Sequence, residues 1–198
     1  MPHKEILGAI AVVLFVISYI SYFRGIFLSQ VRPHFFTWLI WVISVTIILA
    51  AQITEGAGPG AWTTALSAVF CGMVAVYAWR HGEKNFTRGD WISLAIALAA
   101  VPVWYATRQA AYAAVISTGI DAIAYYPTFR KSYRKPGEEN LLCYGVDSIR
   151  HGVSFLALNS VTLATACYPI VIGMTNLVFV AFALWRRRAV RAKMAAES

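Results

Sequence analysis

Seven long apolar runs constrain this chain more than any other feature, because each is close to the ~20 residues that an α-helix needs to cross a bilayer. They occupy 6–27, 35–54, 61–79, 91–107, 110–130, 141–160 and 162–185. Breakers fall between them: Pro33, the Gly56-Ala57-Gly58-Pro59-Gly60 segment, Gly82 with Gly89, and Pro136-Gly137. In 198 residues this leaves no room for a separate soluble domain. Apolar residues make up 59% and charged residues 13%, where soluble domains run near ~45–50% and ~25%. Composition therefore excludes an ordinary cytosolic enzyme, a disordered chain and a secreted disulfide scaffold. The expected fold is an all-α membrane protein, one membrane domain over 1–198 with seven transmembrane helices.

The net charge of +8, from 17 Lys and Arg against 9 Asp and Glu, would suggest a nucleic-acid partner in a soluble protein. Its distribution gives another reason for it. Arg24 and Arg32 follow the first run, Arg80, Lys84 and Arg88 the third, and Arg130, Lys131, Arg134 and Lys135 the fifth; Arg186, Arg187, Arg188, Arg191 and Lys193 form the tail. The other connections hold only Lys4 and Arg108. Cationic residues are retained on the cytoplasmic side of short loops. This alternation predicts an outside N-terminus, a cytoplasmic C-terminus and a multi-pass protein of the plasma (inner) membrane, with the lipid bilayer as partner and no nucleic acid. The tail reads first as a stop-transfer anchor, with anionic lipid headgroups as a second partner. Trp62, Trp79, Trp91, Trp104 and Trp185 near the run ends fit an interfacial aromatic belt. The first run lacks a small-residue cleavage site and is expected to stay in the mature protein.

An internal repeat is also legible. One offset pairs Tyr22 with Tyr125, Ser29 with Ser132 and Pro33 with Pro136; after a small slip, Trp79-Arg80 meets Trp185-Arg186. Each half then holds three runs, 6–81 and 110–188, and 89–108 is a linker helix that restores direction. Tyr126-Pro127-Thr128 followed by Arg130-Lys131-Ser132 resembles the proline-glutamine pair and basic-Ser segment of the PQ-loop and SWEET-like superfamily, which also includes the KDEL receptors. Thr128 stands where that pair has glutamine, and Arg24-Gly25 stands at the matching place in the first half. Asn176 matches one member of the SWEET-like asparagine pair, with Phe70 or Met73 in place of the other. The resemblance implies a 3+1+3 parallel repeat with a solute site between the halves near midplane.

Charged groups inside the runs carry the most functional information, since one at the centre of a span costs at least ~2.5–3.5 kcal/mol. Asp121 lies near the middle of the fifth run, and Asp147, Arg150 and His151 share one face of the sixth at spacings of three and four. If those helices cross as neighbours, Asp121 falls at a similar depth to Arg150 and His151. One reading is an ion pair that fixes helix association. The other is a solute and proton site: Arg150 and His151 hold a small polar or anionic solute while Asp121 and Asp147 couple it to a proton. Trp38, Trp41 and Ser44 in the second run offer a wall for a ring-shaped solute, with His34 at the same end; interfacial anchoring and packing is the plainer account. Asn176 is a further lining candidate, and Pro102, Pro127 and Pro169 are candidate hinges. Ser18 and Thr46 are expected to bond between helices, and Gly72, Gly119, Gly145, Gly152 and Gly173 to allow close helix approach.

Cys71, Cys143 and Cys167 have no metal-ligand spacing and read as inert thiols, so no metal or cofactor is expected. No lysine lies mid-run, which sets aside a retinal protein. No Walker, nucleophile-elbow or HExxH motif occurs, so an enzyme is not expected. The sequence thus points to a carrier of a small polar solute working by alternating access with proton coupling. The alternative is a non-transporting receptor or scaffold of the same fold.

Overall fold

The computed structural model describes residues 2–28, 33, 35–82, 88–134, 136–137, 139 and 141–197, and every regular element among them is helical. Arg32, His34, Lys84 and the Asn85-Phe86-Thr87 sequon lie outside the described residues. The elements are α1 (Pro2–Phe27), α2 (Phe35–Thr54), a 3-10 turn (Gly58–Ala61), α3 (Trp62–His81), α4 (Arg88–Thr107), α5 (Ala110–Ile123), α6 (Tyr126–Arg134), α7 (Leu141–Leu156) and α8 (Leu163–Glu197). Four segments are helical, long and apolar enough to cross a membrane: Pro2–Arg24, Phe35–Thr54, Gly58–His81 and Leu163–Ala192. Leu94–Thr107 and Ala110–Ile123 are shorter apolar helices, and α7 carries Asp147, Arg150 and His151 within 16 residues.

Three boundaries differ from the sequence expectation. The run at 110–130 is two helices, because Pro127 has no amide hydrogen to donate to a preceding carbonyl. The backbone turns at Ala124 and Tyr125, where Tyr125 N donates to Ala122 O (3.2 Å), and resumes when Phe129 N donates to Tyr125 O (3.0 Å). α4 and α8, by contrast, run on through Pro102 and Pro169. α7 ends at Leu156, short of 160. α8 begins after a reciprocal cap, in which Thr162 N donates to Thr165 Oγ1 (2.9 Å) and Thr165 N to Thr162 Oγ1 (3.4 Å). It then continues far past 185, through the basic tail. There Arg186 Nε donates to Tyr133 O and Arg187 to the carbonyls of Pro136 and Glu139, tying the tail to the α6–α7 connection.

Large apolar side chains lie on the outside of the bundle as well as in its core, and polar ones are buried among them. Ile6, Val13, Ile20, Val69, Val76 and Leu177 are exposed on the outside of the bundle, while Ser44, Gln52, Ser117, Arg150 and Asn176 are buried within it. A water-soluble surface rarely exposes apolar patches on this scale, whereas a lipid-facing one must. Trp62, Trp79 and Trp91 are exposed at or near helix ends and Trp185 is exposed within α8, but Trp104 packs against the alanines of α5.

Helix pairing sets the interior. α2 packs on α3 and α7 on α8; α1 meets α7 and α3, while α5 meets α2, α8 and α4. At the end holding the α1 N-terminus, the two halves are joined directly. Lys4 Nζ donates to Leu158 O, Asn159 N to Ala57 O (2.9 Å) and Gln52 Nε2 to Thr165 O (3.2 Å), and Thr63 Oγ1 bonds Ser154 Oγ (2.8 Å). Gly58, at φ +61°, lies so close to Asn159 that a Cβ would sit 2.1 Å from its Nδ2, so only glycine fits that turn. Of the glycines expected to allow close helix approach, Gly173 does so: a Cβ there would lie 3.0 Å from His151 Cβ, holding α8 against α7. Gly119, Gly145 and Gly152 face open space and Gly72 has only an ordinary contact. Thr46 bonds Val42 O of its own helix (2.6 Å) and Ser18 Oγ bonds Leu14 O (2.9 Å). Back-bonding to the preceding turn satisfies a hydroxyl locally, so neither of these bonds links helices. Ser18 does join α7 through its carbonyl, which accepts from Cys143 Sγ (3.1 Å).

Candidate functional site

Beyond the sealed end the halves separate around a cavity of about 410 Å3, within the ~300–1,000 Å3 range of small-molecule sites. α1, α2 and α3 line one side, and α5, α6, α7 and α8 the other. The lining runs from Ser67, Asp121, His151 and Tyr168, in the middle of the bundle, to Pro33, Thr37 and Thr128 at the end opposite the seal.

The second half supplies a linked polar network. Arg150 Nε donates to Asp147 Oδ1 (2.7 Å), Asn176 Nδ2 donates to Asp147 Oδ2 (2.8 Å), and Tyr125 OH donates to Asn176 Oδ1 (2.9 Å). Arg150 Nη2 lies 2.7 Å from His151 Nε2. The same His151 nitrogen lies 3.5 Å from Asp147 Oδ2, which places His151 in one cluster with Asp147 and Arg150. Spacing explains the assembly: Tyr144, Asp147 and His151 form one stripe of α7, and Tyr168, Ile172 and Asn176 one stripe of α8. Arg150 is 1% exposed and stacks over Phe15 of α1 at 5.3 Å. Its Nη1 has no hydrogen-bond partner among the described residues.

Asp121 is set apart from this network. α8 packs against both α5 and α7, and the bonds and ion pair of Arg150 run to α7 alone. Asp121 shares the cavity with Arg150 and His151 without a hydrogen bond or ion pair to either. Asp121 is 6% exposed, and its Oδ1 is buried without a partner among the described residues. Ser67 Oγ, across the cavity on α3, is likewise buried without a partner among them.

The first half presents rings. Trp38 is buried and meets Trp41 edge to face at 4.9 Å, Tyr22 at 5.2 Å and Phe70 at 5.6 Å. Tyr19 stacks on Phe15 and Phe70 at 4.5 Å each. Trp38, Trp41, Tyr19 and Tyr22 all line the cavity.

Of the residues singled out from sequence, Asp121, Asp147, Arg150, His151, Trp38 and Trp41 line the cavity. Asn176 supports it from behind through Asp147 and Tyr125. Ser44 is fully buried in α2 and outside the lining. Pro127 marks the α5–α6 break, and Pro102 and Pro169 are not in the lining. Sequence reasoning missed Tyr19, Tyr22, Tyr125, Tyr144, Tyr168 and Ser67. Helical spacing held a signal for two of these, since Tyr125 is four residues from Asp121 and Tyr144 three from Asp147. Among the described residues no three His, Cys, Asp or Glu side chains gather as a metal site.

No protein-family model, curated protein or solved structure matches this chain.

Proposed function

We propose that this chain is a multi-pass carrier of the plasma membrane that moves a small polar solute by alternating access, with seven spans, an outside N-terminus and a 3+1+3 repeat like that of the PQ-loop and SWEET-like superfamily. One observation carries the reading: a cavity of about 410 Å3 between the halves, bounded by direct hydrogen bonds at one end and lined toward the other. A carrier needs a central site with one closed and one approachable side. Helix pairing supports the repeat, since α1 with α7 is matched by α5 with α2, and α2 with α3 by α7 with α8. The α5–α6 break at Pro127 is the hinge that best suits rocking halves. Span five is then α5 with α6, and α4 and α7 are crossings whose polarity faces the interior.

In this mechanism Asp121 is the proton carrier. It is the one carboxylate of the cavity wall without a bond among the described residues. Its charge can therefore change without breaking a contact that holds the bundle. Asp147, held by Arg150 and Asn176, keeps the wall in shape.

Flux into proteoliposomes with and without a pH gradient tests the proposal. A bifunctional cross-link between cysteines placed at Ala57 and Asn159 would hold the seal shut. Uptake that this cross-link abolishes, and that a pH gradient stimulates, is expected of a coupled carrier. Saturable binding without flux, unaffected by the cross-link, would instead identify a receptor.

A further inference from the structure

The charges on the cavity wall do not balance. Among the described residues lining it, the carboxylates are Asp121 and Asp147 and the guanidinium is that of Arg150, with His151 beside the Arg150–Asp147 pair. Arg150 and Asp147 neutralise each other at 2.7 Å. Asp121 is left with no counter-cation at a depth where an isolated charge is costly. The same cavity is ringed by Tyr19, Tyr22, Trp38, Trp41, Tyr125 and Tyr144, and aromatic faces attract cations, tryptophan most strongly.

From this we infer that the solute is a small organic cation, an ammonium or a positively charged ring, whose charge pairs with Asp121 and whose body lies against the aromatic wall. The inference rests on the cavity being a solute site. It also assigns the free guanidinium nitrogen: Nη1 of Arg150 is a donor for an acceptor oxygen elsewhere on the same solute. An anion fits poorly, because it would be repelled by Asp121 and would meet an Arg150 already neutralised by Asp147. An uncharged solute such as a sugar would leave Asp121 to be neutralised by a proton alone and would make no use of the attraction of the aromatic faces for a cation.

Calorimetric binding to the full chain in nanodiscs at pH 7 tests the class with two matched sets of probes. These are choline against 3,3-dimethylbutan-1-ol, in which carbon replaces the charged nitrogen, and benzylammonium against benzyl alcohol and benzoate. In each set the cation should bind at least about tenfold more tightly than its uncharged partner, with benzoate weakest. Asp121→Asn should erase that preference and Asp121→Glu should keep it, the second variant guarding against simple misfolding of the first. Cations that bind no better than their partners, or a preference that survives in Asp121→Asn, would overturn the assignment. The two proposals fail separately: preferential cation binding without exchange across proteoliposomes removes the carrier reading alone, and flux of only neutral or anionic solutes removes the cation alone.

Discussion

Where α1, α2 and α3 face the cavity they present mainly rings packed on other rings; where α7 faces it the charges of Asp147 and Arg150 are held by hydrogen bonds, and α5 adds the carboxylate of Asp121, unbonded among the described residues. The offset that pairs Pro33 with Pro136 also sets Ser18 against Asp121, Tyr22 against Tyr125, Trp41 against Tyr144 and Ser44 against Asp147. In sequence, two aromatic positions of the lining are thus matched between the halves, while each carboxylate of the second half aligns with a serine of the first. The difference separates two tasks. The first half offers a wall whose rings need no fixed charge opposite them, and the second fixes polarity. Within the second half, Asp147 is fully bonded and Asp121 has no bond among the described residues. A charge that holds structure and a charge available to a ligand therefore lie on different helices.

That division can be broken by substitution. Arg150→Met leaves Asp147 as a buried charge without its cation, and should cost about 3–5 kcal/mol of unfolding free energy in detergent. Trp38→Ala empties the ring cluster around Phe70 and should cost about 3 kcal/mol, with weaker binding of cationic probes but no change in their preference for charge. Asn176→Ala strips a partner from both Asp147 and Tyr125 and should cost about 2 kcal/mol. Asp121→Asn breaks no bond among the described residues and should leave stability within about 0.5 kcal/mol of the parent or raise it, while removing the charge preference. Denaturant or thermal unfolding ranks all four. A loss for Asp121→Asn as large as for Arg150→Met would show that Asp121 also holds the fold.

Much of the helical layout was legible because apolar runs and breakers are local. Pro127 and the glycine-rich segment before α3 both act where the sequence places them, although the first divides a run that reads as continuous. The α7 stripe was legible for the same reason: spacings of three and four fix a face whatever lies beyond the helix. What lies beyond was not. That α8 packs against both α5 and α7, that Asn176 reaches Asp147, and that Thr46 bonds its own turn depend on which helices meet, and no residue pattern within one run states that. The tyrosines were missed because a tyrosine near a span end is compatible with interfacial anchoring or a lining role. Only the joining of α1 with α7 and of α2 with α5 gathers them round one space.

The seal at the α1 N-terminus also has a consequence in time. Lys4 and its carbonyl partner Leu158 are 154 positions apart in sequence, which at a synthesis rate of ~5–20 residues per second separates their emergence by roughly 8–30 s. α1 packs against α7, which follows it by five other helices. For that interval the bundle has a first helix without its main partner and no closing contact at the end that holds the α1 N-terminus. Loss of the Lys4 ammonium would therefore be felt first as a slower final docking step during biogenesis.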